Sequence, residues 1–318
     1  MDNHFNIFIF LKMYWNFIIL LLMNFIIQSF EHFFLIIPYK IYMRNNQRTY
    51  RFFTKRPFER KKDLFTNVLQ DYKYVPKAYV LFKLDGLFNE TRFIDTRNVG
   101  YYERYHKEGV ESLPFKQSKY LIKLGQMMDK VMFVCNSGFY PTYKLATICV
   151  EDLAKFSKIK SEKSYLGKDQ NGKRIWYVAW QNCHFECFSK RNYEDMKPRL
   201  LKELNMYRAL LRARPVIYNE KIEKQAQKQS ELNIRPNEFS QVMYKNQLFR
   251  EISGINSPPL GSTQMNRWYN DYVRSNKNPR LRKAITKFEE ALFSPNTKEV
   301  GFGVTKKGNK LIIVCRFR

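Results

Sequence analysis

The closing stretch "NTKEVGFGVTKKGNKLIIVCRFR", Asn296–Arg318, constrains the fold most. Two apolar runs flank Lys-Lys-Gly-Asn, and Gly-Asn suits the positive φ of a tight turn, so the segment reads as a β-hairpin. Helices precede it. "EDMKPRLLKELNMYRALLRARP" offers Asp195 as N-cap and Pro198 in the first turn. Leu200, Leu204, Tyr207 and Leu211 recur at helical spacing, and Pro215 ends the run. "NEKIEKQAQKQSELN" carries Ile222, Ala226 and Gln229 along one stripe, and "TQMNRWYNDYV" carries Trp268 and Tyr272 on one side. A last helical run, "NPRLRKAITKFEEALF", leads into the hairpin. Helices around a strand pair give an α/β class of the α+β kind.

Residues 65–190 read as a small α+β module with an internal repeat. "VLFKLDGLFNETRF" from Val80 and "VMFVCNSGFYPTYK" from Val131 each run from a strand into a polar turn, Asp85-Gly86 and Asn136-Ser137-Gly138. A Thr follows each, Thr91 and Thr142, placed to cap a helix such as "YKLATICVEDLAKFS". The unit is strand–turn–strand–helix. A third strand-like run, "RIWYVAWQNCHFECFS", follows an Asn171-Gly172 turn. Asn89-Glu90-Thr91 is a glycosylation sequon, usable if the chain is secreted. "CHFEC" holds Cys183, His184 and Cys187, all ligand types. A structural zinc site needs four ligands, usually two such pairs, and the second pair is missing. Disulfides from Cys183 and Cys187 to Cys135 and Cys149 are the better reading. His106 reads as a surface residue.

The first 40 residues are the most apolar, and Met13 to Ile27 is free of charge. That run is short for a membrane span and suits a signal-peptide core, with an uncleaved anchor as the alternative. Met13 and Met23 both could start the chain, and Lys40, Arg44, Arg48 and Arg51 follow the run. Residues 41–64 read as a basic linker. The net charge of +27 implies an anionic partner: lipid headgroups, acidic glycans or nucleic acid. Nucleic acid is the lesser expectation, because no recognition motif accompanies the charge.

Residues 196–318 resemble the CAP superfamily (SCP/TAPS; cysteine-rich secretory proteins, antigen 5, pathogenesis-related proteins), secreted nematode members included. Asn205-x-x-Arg208 with Pro215 is similar to the family's N-x-x-R…P helix. "KIEKQAQKQS" is similar to its second helix, and Trp268-Tyr269 to its W-Y-x-E motif. The closing segment, with Gly301, Gly303 and Cys315, is similar to its V-G-x-G…V-C-x-Y hairpin. The resemblance implies a three-layer α-β-α sandwich over 196–318, secretion, and binding of sterols, fatty acids or protein partners, host proteins among them.

Many members hold two His and two acidic residues in a cleft that takes zinc. Here "KNQL" puts Asn246 at the Glu position of G-E-N-L, and Lys287 or Phe288 stands at the second His. All four histidines lie before residue 196. The reading is therefore no metal site, no cofactor and no His general base. Glu289 and Glu290 remain as part of a solvated helix face. In related hairpins the position of Phe302 is often Cys, so Cys315 stays free or pairs elsewhere. The expected function is a secreted, non-enzymatic, CAP-like binding protein, with an apolar cleft in the loop 253–263 for a lipid. A polyanion or nucleic-acid binder is the alternative.

Overall fold

The computed structural model of the chain describes residues 33–45, 47–89, 92–96, 101–106, 109–114, 120–232, 239–244, 247–277 and 287–318. The fold is mixed α and β, in two compact units, 1–116 and 117–318. That division falls inside the segment 65–190 expected to be one module.

In the first unit, β1 (Phe34–Arg44) pairs antiparallel with β2 (Gln47–Arg51) and parallel with β3 (Val80–Asn89). β4 (Arg92–Asp95) and β5 (Tyr101–His106) pair with the two halves of β3, and β6 (Gly109–Pro114) pairs with β5. Helix α1 (Lys61–Asp71) supplies the crossover that a parallel pair requires. It buries Leu64, Phe65, Val68 and Leu69. Phe65 stacks on Phe82 at 3.7 Å and meets Tyr39 edge-on at 5.5 Å. The buried Glu103 carboxylate accepts from Tyr39 Oη and Lys61 Nζ, each at 2.7 Å, so its charge is paired.

Three sequence expectations change here. Leu35, Ile36 and Ile37, assigned to the leader or anchor 1–40, are buried in β1; residues 1–32 lie outside the described ones. The segment 41–64, expected as a linker, holds the end of β1, all of β2 and the start of α1, because alternation and helical spacing continue through its charges. Asp85-Gly86 is no turn. Tyr39 pairs with Leu84 and Lys40 with Gly86, so Asp85 is the extra residue of a bulge inside β3.

In the second unit, β7 (Leu121–Met127), β8 (Lys130–Cys135) and β9 (Gly138–Tyr140) form a meander leading into α2 (Tyr143–Phe156). Asn136 and Ser137 adopt φ of 46° and 63°, and Thr142 caps α2 by accepting from Leu145 N at 3.3 Å. This copy of the repeat follows the expected strand–turn–strand–helix order. The third strand-like run is instead helical, α3 (Gln170–Trp180) and the single turn α4 (Phe185–Phe188). Asp169 caps α3 by accepting from Gly172 N at 2.7 Å, and Trp176, Ala179 and Trp180 share its buried side. The four paired cysteines are those expected, but the partners differ: Cys135 bonds Cys149 and Cys183 bonds Cys187. Cys135 ends β8 beside α2, which carries Cys149, and Cys183 precedes α4, which carries Cys187, so the Cα atoms of each pair lie within bonding reach, at 6.3 and 5.0 Å. Cys315 is free and buried.

The second sheet runs β10 (Ile217–Tyr218), β13 (Glu299–Lys307), β14 (Lys310–Phe317), β12 (Gln247–Asn256), β11 (Phe239–Tyr244). The closing hairpin turns at Gly308-Asn309, with Gly308 at φ 54° and Lys307 opposite Lys310. Helices α5 (Met196–Leu210), α6 (Glu220–Ser230), α7 (Gln264–Lys277) and α8 (Lys287–Phe293) accompany it. Alternation gives the hairpin two buried faces. On one, a Cβ at Gly301 or Gly303 would overlap the backbone of Glu223 or Ala226, so two glycines let α6 lie directly on β13. Ala226, Ile312 and Val314 fill the remaining contact. On the other face Val300, Phe302, Cys315 and Phe317 are buried, with α5 against β13 and the 3-10 turn Pro258–Thr263 against β14. Helical segments thus cover both faces of this sheet.

Arg208, on α5, is fully buried. It donates to the carbonyls of Arg214 (2.8 Å), Leu292 (2.8 Å), Ser294 (2.9 Å) and Thr297 (2.9 Å). Asn205 pairs with the Val216 backbone like a strand neighbour, accepting from N at 2.9 Å and donating to O at 3.2 Å. A lysine keeps the charge but lacks the planar fork. Arg208→Lys should therefore lower unfolding free energy by about 2–4 kcal/mol in denaturant titration, since buried carbonyls lose their donors. An unchanged midpoint would show that the four carbonyls find other partners.

Candidate functional site

The motif residues named from sequence sit in the framework. Asn205 and Arg208 hold the chain after α5, and the exposed Pro215 lies in that connection. Trp268 is buried, and Tyr269 stacks on Tyr207 at 4.1 Å. Gly301 and Gly303 seat α6. Burial pushes the Cys315 thiol well up, so it stays protonated and unreactive. Asn246 and the side chains of Lys287 and Phe288 lie outside the described residues. Asn89 is exposed at the end of β3; Glu90 and Thr91 of its sequon are not described.

Two expectations for the cleft need correction. Gly254, Pro258, Pro259 and Gly261, expected to border an open lipid cleft, are buried. The segment 253–263 is packed under β14, where a Cβ on Gly261 would meet Leu311. Glu289 is buried, not part of a solvated face. Burial pushes its carboxyl up to about 7. Among the described residues no three His, Cys, Asp or Glu side chains converge as a metal site would require. His184 instead pairs with Glu162 at 3.0 Å, and His106 faces Glu111 at 3.0 Å on the surface.

A cavity of about 340 Å³ does open in the second unit. Leu145, Ile148, Cys149, Asp152 and Leu153 line it from α2, at the spacing that puts them on one helix face. Phe139 and Phe185 close its apolar walls, and α6 and β13 border the opposite side. Phe139, Leu145 and Ile148 are about 40% exposed, an unusual state for three neighbouring apolar residues. The Cys135–Cys149 disulfide fixes the helix that carries this wall.

The polar groups of the cavity converge at one place. Lys306 Nζ lies 2.7 Å from Asp152, both largely shielded from water. Burial raises the Asp152 carboxyl, and the lysine opposes that shift. Burial also raises Tyr140, to about 12, and Tyr193, so both phenols remain donors at neutral pH. Beside them Arg191, Asn192 and Tyr193 adopt φ of 51°, 58° and 71°. Non-glycine residues pay of order 1–3 kcal/mol for such backbone, which concentrates at binding sites. Asn136 offsets it locally, its carbonyl accepting from Arg191 N at 3.1 Å and its amide donating to Ser189 at 2.9 Å.

A second polar cluster is sealed. Glu203 on α5 is fully buried, accepts from Trp180 Nε1 at 2.7 Å and lies 2.9 Å from Tyr207 Oη. Asn266 donates to Tyr207 Oη at 2.9 Å, and that oxygen lies 3.1 Å from the Gly172 carbonyl. Burial pushes the Glu203 carboxyl up to about 8, against hydrogen bonds from Trp180 and Tyr207. When protonated, Glu203 donates to Tyr207 and frees the phenol proton for Gly172, so every member is satisfied. The cluster ties α3, α5 and α7 together and offers no access. Sequence reading missed it because a lone glutamate on an apolar helix face carries no motif; Trp180, Glu203 and Tyr207 meet only in three dimensions.

Residues 31–152 match the family model of a domain of unknown function (DUF7381). No curated protein and no solved structure matches the chain.

A raised acid binds its proton more tightly in the folded state. Its stabilising effect is complete below about pH 4.5 and is lost as pH rises toward 8, at up to about 1.4 kcal/mol per unit. Glu203→Gln should remove that loss. Between pH 5 and 8 the variant should gain stability relative to wild type in urea unfolding. Parallel pH profiles would show that Glu203 is ionised at neutral pH.

Proposed function

We propose that the chain is an extracellular, non-enzymatic binding protein, CAP-like over residues 196–318, whose cavity takes a fatty acid. The cavity carries this reading: an apolar wall from α2 takes an acyl chain, and the Tyr140 and Tyr193 phenols meet its carboxylate beside Lys306, which that carboxylate shares with Asp152, Glu231 lying on the same rim. Its volume lies at the lower end of ligand pockets, about 300–1,000 Å³, which favours one acyl chain over a sterol. Two disulfides suit an oxidising compartment. No helix among the described residues is long and apolar enough to cross a membrane. The absence of histidine from 196–318 removes the usual general base and supports binding without catalysis.

Displacement of a fluorescent fatty-acid probe tests the reading. Wild type should bind at micromolar Kd or tighter. Ile148→Glu, which puts a charge on an already part-exposed wall, should weaken binding at least tenfold with the melting temperature kept. Equal probe affinity in the two proteins, or none in either, would overturn it.

A further inference from the structure

The β2-β1-β3-β4 end of the first unit carries a sheet face that the cavity does not explain. Register places Arg51, Lys40, Gly86 and Asp95 in one row across the four strands, and Thr49, Tyr42, Phe88 and Phe93 in the next. Residues directly opposite share a face, and so do alternate residues along a strand, so both rows and Arg44 point the same way. Gly86 has a specific use: a Cβ there would overlap the Phe93 ring, which lies over bare backbone and stays 45% exposed. Tyr42 and Phe88 stack at 4.5 Å with planes 3° apart, and Phe88 meets Phe93 at 4.5 Å. The rings form a continuous row across three strands. Cations border it: the Arg51 guanidinium lies 4.5 Å over Tyr42, and the Lys40 ammonium 5.9 Å from Phe93. Lys40, Arg44 and Arg51 are exposed; Asp95 is the one acid of the two rows.

An exposed ring laid on the sheet, beside cations at fixed spacing, suits a ligand with a flat apolar face and repeated anionic groups. We infer that this face binds an acidic, sulfated glycan, with the C–H face of a sugar ring on Phe93 and sulfates on Lys40, Arg51 and Arg44. The net charge of +27 draws such a polymer toward the chain. Single-stranded nucleic acid also combines flat faces with anions. The choice of glycan rests on the extracellular reading above, since anionic glycans are the abundant polyanions of that space. It is independent of the lipid cavity.

Isothermal titration of the full chain with a heparin-derived hexasaccharide tests the inference, with the desulfated sugar and oligo(dT) as comparison probes. The sulfated sugar should bind and weaken with added salt, and the desulfated one should not bind. Phe93→Ala, Lys40→Gln and Arg51→Gln should each weaken binding about fivefold or more, and Phe93→Trp should retain it. None of these should alter fatty-acid binding, and Ile148→Glu should leave sugar binding intact, so the two proposals fail separately. Tighter binding of oligo(dT) would overturn the glycan assignment. Unchanged sugar affinity in folded Lys40→Gln and Arg51→Gln variants would overturn the site itself.

Discussion

The second unit depends on one buried guanidinium. Arg208 donates from α5 to four carbonyls, one just beyond that helix, one in the last turn of α8 and two between α8 and β13. The bonds to Leu292 and Thr297 are buried, and the Ser294 carbonyl also accepts from Thr297 N at 3.1 Å. Left without a donor, each of these two buried carbonyls would cost about 1–3 kcal/mol. A single side chain with donors in a planar fork meets all four, which no lysine or amide can do. The position of β13 follows, and with it the glycine seat of α6.

That seat shapes the cavity. Because Gly301 and Gly303 lack side chains, α6 lies close on β13, and Gln227 bonds the edge of the strand, donating to Val304 O at 3.2 Å and accepting from Val304 N at 3.1 Å. Lys306, three residues beyond Gly303, then meets Asp152 of α2. The cavity is bounded on one side by this framework and on the other by a helix held by the Cys135–Cys149 disulfide. The left-handed run at Arg191–Tyr193 adds strain beside it. The sealed Glu203 cluster ties α3, α5 and α7 together behind this arrangement through hydrogen bonds to Trp180 and Tyr207.

Local patterns were legible in the sequence. The closing hairpin, the described helices of 196–318, the Thr142 cap and the identity of the paired cysteines follow from short-range rules of turn chemistry, 3.6-residue spacing and capping; Asp195, expected to cap α5, makes no side-chain cap bond, and residues 278–286 of the last expected helix lie outside the described ones. Long-range choices were not legible. Leu35–Ile37 are as apolar as a leader because an interior strand has the same composition. Gly86 looks like a turn glycine, yet its use is to admit the Phe93 ring from another strand. Trp176 and Trp180 suit a strand by propensity, and the Asp169 cap with packing on α5 makes them helical. The cavity escaped notice because its walls come from α2 and β13, more than 150 residues apart in sequence.

The central claim is that an apolar chain enters between α2 and β13 with its charged end at Lys306. Methyl-resolved NMR during titration with a fatty acid tests it most directly. The account predicts saturable shifts at Leu145, Ile148 and Leu153, with core methyls such as Ile313 unmoved. Saturable shifts confined to other methyls, or none at ligand excess, would contradict it.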